Sequence, residues 1–335
     1  MKQEKFDHIA SLISNTPLLE IHFTYYGEAR RLFAKAEHYN LTGSIKDRVA
    51  YHILKKAYYT GAIREGDTIA EATSGNTGIS FSAVGTYLGN PVVIYMPDWM
   101  SRERINLMQS YGAKVHLVSR EEGGFLGSIA MTEELAKDGG VFLPRQFSNE
   151  DNIEAHYLTT GAEILVQLER LGLTADAVVA GVGTGGTVMG IGRKLREKNP
   201  RCRMHPLEPL NSPTLSTGYK VGKHRIQGIS DEFVPSILDL KETDEVVSVD
   251  DTDSIIMARM LSERLGLGVG VSSGANFIGS VMAQNKLGKD STVVTVFADD
   301  NKKYLSTDYS EPQQPRDEYL SSHISLTDVL AYRYE

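Results

Sequence analysis

The sequence predicts an α/β protein with mainly parallel sheets flanked by helices. Two observations support this prediction: short apolar runs alternate with longer amphipathic stretches along almost the whole chain, and three glycine-rich turns each follow an apolar run and open a helical pattern. Strand-then-helix alternation is typical of parallel strands joined by right-handed crossovers. The 335 residues suffice for two packed α/β domains or one large one.

The predicted strands are short runs rich in β-branched and other apolar residues. They cover residues 32–36, 68–71, 92–96, 114–118, 177–181, 204–208 and 292–297. The predicted helices have apolar residues at helical spacing. They lie near residues 45–59, 77–88, 101–111, 124–137, 152–172, 186–198, 251–265 and 274–286. The tail from Glu311 is first polar and then weakly amphipathic, and we interpret it as an appended segment such as a capping or interface helix.

The composition excludes several classes of function. Hydrophobic residues make up 41% and charged residues 23%, and the net charge of −8 comes without any basic run, which argues against nucleic acid as a partner. No apolar run reaches the roughly 20 residues that span a bilayer, and the charged N-terminus contains no secretory signal. The single cysteine, Cys202, excludes an internal disulfide framework and a Cys-rich metal site. We therefore expect a cytoplasmic protein without a metal.

The three glycine-rich turns are candidate anion sites, because unpaired backbone N–H groups collect where a helix starts. The first turn, TSGNTG at 73–78, adds hydroxyl groups suited to a carboxylate, although Ser, Thr and Asn are also ordinary helix caps. The second, GTGGT at 183–187, would let a phosphate approach the backbone. The third, GVSSG at 270–274, would by itself indicate only a capped helix.

The second turn leaves one alternative open. Residues 181–186 fit the GxGxxG pattern of dinucleotide-binding proteins, which keeps a nucleotide-dependent oxidoreductase as a minor alternative. The pattern is weak, and the acidic residue expected about 20 positions later falls in a charged helix end rather than at a strand end.

Lys46 lies in the segment NLTGSIKDR, residues 40–48, just inside a predicted helix start. Most lysines of such a chain are solvated surface groups, and a cation at a helix N-terminus is mildly unfavourable. This penalty disappears if the amine is neutral or is bound as an imine. Taken alone, Lys46 is nevertheless more typical of a surface lysine than of a catalytic one.

Together the three turns and the Lys46 segment resemble the cysteine synthase and cystathionine β-synthase family of fold-type-II pyridoxal-phosphate (PLP) enzymes. Residues 40–48 match the family's Asn-x-x-x-Ser-x-Lys-Asp-Arg motif, and TSGNTG matches at 73–78 without change. The resemblance implies a two-domain, tryptophan synthase β-like fold with PLP in the cleft. A smaller, movable domain would comprise residues 41–150, and a larger one residues 1–40 and 151–335. A homodimer is also implied.

The resemblance further implies a role for each motif. Lys46 would hold PLP covalently and later act as base on the Cα proton, Asn76 would meet the phenolic oxygen, and Ser272 the pyridine nitrogen. The phosphate would lie on Gly183, Thr184, Gly185, Gly186 and Thr187. The amino-acid substrate would be bound by Thr73, Ser74, Gly75, Thr77, Gln146 and Gly228.

The implied reaction is β-replacement or β-elimination on cysteine, serine or an activated serine, in sulfur amino acid metabolism. It would proceed through an aminoacrylate intermediate, with a thiol, sulfide or water as nucleophile or product. A hydroxyl rather than a carboxylate opposite the pyridine nitrogen favours elimination over transamination, because it leaves a weaker electron sink.

Asp231 and Glu232 follow the Gln-Gly-Ile signature at a place where cysteine synthases usually have small residues. A carboxyl group there could protonate a poor leaving group or deprotonate an incoming water or thiol. We therefore expect both to be catalytic and the substrate to be unactivated, such as L-cysteine releasing hydrogen sulfide, or a thiol condensation as in cystathionine β-synthase. If both acids face solvent, an O-acetylserine-dependent cysteine synthase is the alternative. A serine/threonine dehydratase and a non-catalytic binding relative are further alternatives.

Overall fold

The computed structural model describes residues 2–137 and 139–334. Its strands form two sheets flanked by helices. This arrangement confirms the predicted fold class. The strands are β1 (Leu18–Tyr25), β2 (Glu28–Ala36), β3 (Thr68–Ala72), β4 (Val92–Pro97), β5 (Lys114–Val118), β6 (Val141–Phe142), β7 (Ala177–Gly181), β8 (Arg203–Pro209), β9 (Val247–Val249), β10 (Val293–Phe297) and β11 (Ile324–Tyr332).

The helices fill the connections between these strands. They are α1 (Lys2–Ala10), α2 (Lys46–Thr60), α3 (Asn76–Leu88), α4 (Arg102–Ser110), α5 (Gly124–Ala136), α6 (Asp151–Ala155), α7 (Ala162–Arg170), α8 (Gly186–Lys198), α9 (Thr214–Thr217), α10 (Asp251–Leu265) and α11 (Val271–Leu287). A π-helical turn, His156–Gly161, joins α6 to α7. No helix within the described residues is long and apolar enough to cross a membrane.

The larger sheet has the strand order β11-β1-β2-β10-β7-β8-β9. Strands β2, β10, β7, β8 and β9 run parallel, and β11 and β1 add an antiparallel edge. The prediction of a helix in the C-terminal tail was wrong. Residues 324–332 form strand β11, which is mostly exposed and pairs with β1, with a register shift at His22/Phe23 of β1.

The smaller sheet has the order β5-β4-β3-β6, and all of its pairs are parallel. Its buried core is separate from the two cores that cover the larger sheet. Helix α2 belongs to this core through apolar residues such as Val49 and Ile53, and helix α1 joins it through Phe6 and Ile9. The helix that begins at Lys46 is thus packed on the smaller sheet.

A buried ion network fixes the first turn of α2. The Arg48 guanidinium, 1% exposed, donates to Glu37 at 2.6 Å and to Glu163 at 2.6 Å, and Lys35 pairs with Glu163 at 2.7 Å. Although burial acts to raise it, the adjacent Arg48 lowers the pKa of Glu37 to about 2, so this carboxylate stays charged. Because buried pairs of this kind tolerate little movement, the network holds Lys46, two residues away, in a defined position.

Candidate active site

The carboxyl ends of strands from both sheets face one inner cavity, the position at which parallel α/β sheets bind ligands. The cavity contains residues from the turn after β3, the turn after β7 and the starts of α2 and α11. Residues predicted from the sequence that line it are Lys46, Thr73, Ser74, Gly75, Asn76, Thr77, Gln146, Gly183, Thr184, Gly185, Thr187, Gly228, Asp231 and Ser272. Gly186 lies behind the second turn against Asn152, and Glu232 lies outside the inner cavity.

Lys46 is the first residue of α2, and its side chain reaches the inner cavity. Within the described residues its amine makes no hydrogen bond or ion pair. Burial lowers the pKa of Lys46, while the carboxylates of Asp299 and Asp231 act in the opposite direction. An amine with a lowered pKa and no partner is available for nucleophilic or base chemistry.

The turn after β3 presents several hydrogen-bond donors to the same cavity. The Thr73 hydroxyl accepts from the Gly75 N–H at 3.1 Å, and the Thr77 hydroxyl donates to the Gln146 side chain at 2.6 Å. The Gln146 amide donates to the Ala72 carbonyl at 3.0 Å, which ties the turn to the segment after β6. Helix α3 starts at Asn76, so its first N–H groups also point towards this turn, an arrangement suited to a carboxylate.

The conformation of the turn after β7 requires glycine at two positions. A Cβ on Gly183 would lie 2.5 Å from the Gly228 carbonyl oxygen, and Gly185 has a φ of +86°, which favours glycine. Asn152 donates to the Thr184 hydroxyl at 3.0 Å and to the Gln146 backbone carbonyl at 2.9 Å, and so links the turn after β7 to the segment after β6.

His156 supports the same turn from behind. Burial lowers the pKa of His156 well below its usual value, so the ring is neutral. Its Nδ1 lies 3.0 Å from the Thr160 hydroxyl and its Nε2 lies 3.3 Å from the Thr187 hydroxyl. A neutral ring in this position orients Thr187 towards the cavity.

A polar chain crosses the cavity from α3 to the segment after β10. The Asn76 amide donates to Asp299 at 2.7 Å, and the Tyr304 hydroxyl donates to the same carboxylate oxygen at 2.6 Å. The side-chain oxygen of Asn76, Oδ1, is buried and has no hydrogen-bond partner within the described residues. Ser272 lies at the start of α11, 6% exposed, and also faces the cavity.

Asp231 is aimed at the cavity by a strained residue. Ser230 has a φ of +54°, a left-handed conformation that is unfavourable without glycine, and its hydroxyl donates to the Ser212 carbonyl at 3.0 Å. Burial raises the pKa of Asp231 to about 6, although the ammonium of Lys220 acts to lower it. The carboxyl group therefore exchanges a proton near neutral pH, as a general acid or base requires.

Glu232 points in a different direction. Its carboxylate lies 3.7 Å from the Lys220 ammonium, and the residue lines a larger outer cleft of about 660 Å³ rather than the inner cavity. Asp231 lines both spaces, so it lies where the cleft meets the inner cavity.

Sequence reasoning missed several residues of this site. Arg104, Phe147, Gln227 and Asn276 line the inner cavity, and Asn152 and His156 support it. Arg104 carries a usable signal, because it shares the buried face of α4 with Met108 at a spacing of four residues. A charged residue on an apolar helix face needs a partner. Gln227 belongs to the Gln-Gly-Ile signature but was given no role, and Asn276 lies in a segment without any such signal.

Comparison with known proteins gives a consistent result. A family model described as pyridoxal-phosphate dependent enzyme matches residues 9–299. A cysteine synthase from Staphylococcus aureus is 40% identical over 307 residues, which cover 92% of this chain and 98% of the relative. A cysteine synthase structure from Entamoeba histolytica matches with a TM-score of 0.84 at 34% identity, over 94% of each chain.

A hydrogen sulfide-producing enzyme from Fusobacterium nucleatum is more similar still. Its crystal structure matches with a TM-score of 0.96 at 59% identity, over 99% of both chains. A second structure of that enzyme, in which one aspartate is replaced by asparagine, is a complex with an α-aminoacrylate intermediate.

Proposed function

This chain belongs to the pyridoxal-phosphate dependent enzymes, and we propose that it acts on L-cysteine, releases hydrogen sulfide and lets water or a thiol take the place of the lost group. The resemblance to the cysteine synthase and cystathionine β-synthase family is confirmed, as are the fold type, the cofactor and the reaction class of PLP-dependent β-replacement or β-elimination. The choice of an unactivated substrate is the proposal. One observation carries it: Asp231 lies on the inner cavity with a pKa of about 6.

The described residues fit the cofactor. Among the described residues, the Lys46 amine has no hydrogen-bond partner. The glycine turn at 183–187 packs too closely against Gly228 and Asn152 to carry side chains at Gly183 and Gly186, so it would present mainly backbone N–H groups to a phosphate at the start of α8. The Asn76 amide is already oriented by Asp299, and the Ser272 hydroxyl lies at the start of α11. When bound, PLP supplies the electron sink that stabilises charge at the substrate's α-carbon.

The other steps of the reaction, which are substrate binding and proton transfer, would fall to residues of the inner cavity. The turn at 73–77 and Gln146 would bind the substrate carboxylate, and the Lys46 amine would take the α-proton. Asp231 would give a proton to the departing sulfur and take one from the incoming water or thiol. A sulfide group leaves better when it is protonated, whereas acetate needs no such help, so a proton-exchanging carboxyl group supports an unactivated substrate. Glu232, paired with Lys220, would act only through the charge near Asp231.

Three further expectations stay proposals. We propose that residues 41–150 move against residues 1–40 and 151–335 and close over bound substrate, which would exclude water from the inner cavity. Helix α1 is the exception within residues 1–40, because it packs in the core of the smaller part through Phe6 and Ile9 and would move with that part. The hydrogen bond from Asn76 to Asp299 joins the two parts beside the inner cavity, so opening the site would have to break it. We also propose a homodimer, which rests on the family resemblance, and a cytoplasmic location, which rests on the composition of the sequence.

The substrate is tested by incubating the purified PLP-loaded protein separately with L-cysteine, L-serine and O-acetyl-L-serine, with and without added sulfide or thiol. Hydrogen sulfide is measured directly, and amino-acid products by mass spectrometry. We expect L-cysteine to give hydrogen sulfide together with serine, or a thioether when a thiol is added. A far higher kcat/KM for O-acetyl-L-serine with sulfide would instead establish a cysteine synthase, the candidate that the 40% identity to cysteine synthases favours.

The close packing of the glycine turn at 183–187 leads to a testable prediction. Gly183→Ala places a methyl group 2.5 Å from the Gly228 carbonyl oxygen, so one backbone segment must move. We expect the free energy of unfolding to fall by about 1–3 kcal/mol. We also expect PLP to bind at least about tenfold more weakly than in the unaltered protein. Thermal unfolding of the apoprotein and an absorbance titration with PLP measure the two effects. As a control, Gly172→Ala, which has open space but a φ of +69°, should destabilise the fold without changing PLP affinity. Unchanged PLP affinity in Gly183→Ala would contradict the assignment of the turn.

A further inference from the structure

Arg104 is a buried cation that has no counter-ion among the residues that the structure describes. It lies on α4, is 1% exposed and lines the inner cavity. Its guanidinium donates through Nη1 to the Gln227 side chain and lies over the Tyr304 ring, 5.0 Å from the centroid. Its Nε is buried and has no hydrogen-bond partner, and within residues 2–137 and 139–334 no carboxylate forms an ion pair with it. A buried charge in this state is unfavourable unless a ligand supplies the missing partner.

The turn after β3 comes directly against this guanidinium. A Cβ on Gly75 would lie 2.6 Å from the Arg104 Nε and 3.1 Å from Cζ, so only glycine lets the arginine lie this close to the turn. Gln227 and Tyr304 hold the guanidinium from two other sides. The unpartnered Nε therefore faces the segment that offers hydroxyl and N–H donors to a carboxylate.

The distribution of charged residues in the inner cavity leaves Arg104 to balance the charge of a bound carboxylate. Among the described lining residues the cations are Lys46 and Arg104, and the anion is Asp231. In the proposed reaction Lys46 is committed to the cofactor and to the α-proton. The turn at 73–77 and Gln146 provide only neutral donors, which orient a carboxylate but do not balance its charge. Arg104 is the remaining cation that can.

We propose that Arg104 is a substrate-binding residue that provides the counter-charge for the α-carboxylate of the amino-acid substrate. The inference rests on the proposed function insofar as the ligand is an α-amino acid, but it does not depend on which β-group leaves. It makes Arg104 a specificity residue as well: the site selects amino acids over the corresponding amides and amines, because an uncharged ligand leaves the guanidinium without a partner.

The test compares Arg104→Gln with the unaltered protein, both loaded with PLP. Each is titrated with L-serine and with L-serinamide, and binding is followed by the change in the visible absorbance of the cofactor, which does not require turnover. We expect the variant to bind L-serine about 10- to 100-fold more weakly and L-serinamide with little change, so that the preference for the carboxylate falls by about the same factor. Arg104→Lys, which keeps the charge, should retain part of the preference.

Arg102→Gln is the matched control, because Arg102 is an exposed residue of the same helix. It should leave both affinities unchanged. If Arg104→Gln does not fold, Arg104→Lys gives the second measurement, since it keeps the charge but cannot donate from the position of Nε, and its preference for L-serine over L-serinamide should be lower than that of the unaltered protein. Equal weakening of L-serine and L-serinamide would overturn the inference and leave Arg104 a structural residue. A protein that discriminates between the two ligands but releases no sulfide from L-cysteine would refute the proposed function while supporting this inference.

Discussion

Lys46→Ala is expected to lower the rate of hydrogen sulfide release from L-cysteine by at least about 10³-fold, because one change removes both the covalent attachment of PLP and the base for the α-proton. Among the described residues that line the inner cavity no other lysine can take over either task. Two measurements check this. Sulfide release gives the rate, and mass spectrometry after borohydride treatment shows whether PLP is fixed to the chain. The unaltered protein should gain the mass of reduced PLP at Lys46, and the variant should gain none.

Lys56→Ala is the control for this experiment. Lys56 lies on the same helix as Lys46, but it is exposed and pairs with Asp151 and Glu154 on the surface. Exposed pairs of this kind contribute about 0–1 kcal/mol, so both rate and borohydride labelling should persist. Lys46→Arg separates charge from chemistry, since it keeps a cation at the start of α2 but cannot form the covalent link. Labelling of PLP at another lysine in Lys46→Ala would refute the assignment.

The fold class could be predicted from the sequence because the buried parallel strands form clear apolar runs, as in AVVAG of β7. The prediction failed where pairing depends on the rest of the molecule. Strands β6 and β9 have only two and three residues, too few for any periodicity. Strand β11 was mistaken for a possible helix, since its residues show no sustained period-two pattern and it is held as a strand by pairing with β1, about 300 residues earlier in the chain.

The site residues likewise fall into those that the sequence predicts and those that depend on the folded structure. The three turns were recognisable because glycine and hydroxyl residues are concentrated within a few positions, and local chemistry alone determines what such turns can bind. The direction of Asp231 could not be read, because it depends on the left-handed Ser230 and on that residue's hydrogen bond to the Ser212 carbonyl, 18 residues away. Arg104 was missed for a related reason: its lack of a counter-ion is a property of the folded cavity.

Asp231→Asn is expected to lower kcat/KM for L-cysteine by about 10²- to 10⁴-fold, because an amide cannot exchange a proton with the leaving sulfur or the incoming water. It should leave the reaction of O-acetyl-L-serine with sulfide nearly unchanged, since acetate leaves without protonation. The pH profile gives an independent measure. Asp231 has a raised pKa of about 6, so it is mainly a carboxylate at neutral pH and becomes protonated as the pH falls through that value. Proton donation to the departing sulfur needs the protonated carboxyl group and must slow above about pH 6, whereas deprotonation of water or a thiol needs the carboxylate and must slow below it. Both the alkaline limb and this acid limb should vanish in the variant.

Glu232→Gln is the matched control, because it makes the same chemical change one residue further along, outside the inner cavity. The negative charge of Glu232 helps to raise the pKa of Asp231, so its removal should move the acid limb to slightly lower pH and leave the maximal rate nearly intact. A substrate-independent loss in Asp231→Asn, equal for L-cysteine and O-acetyl-L-serine, would mean that the carboxylate only maintains the shape of the cavity. A loss confined to L-cysteine, with the acid limb gone, ties the choice of substrate to this one carboxyl group, since both substrates share the same cofactor, the same lysine and the same carboxylate turn.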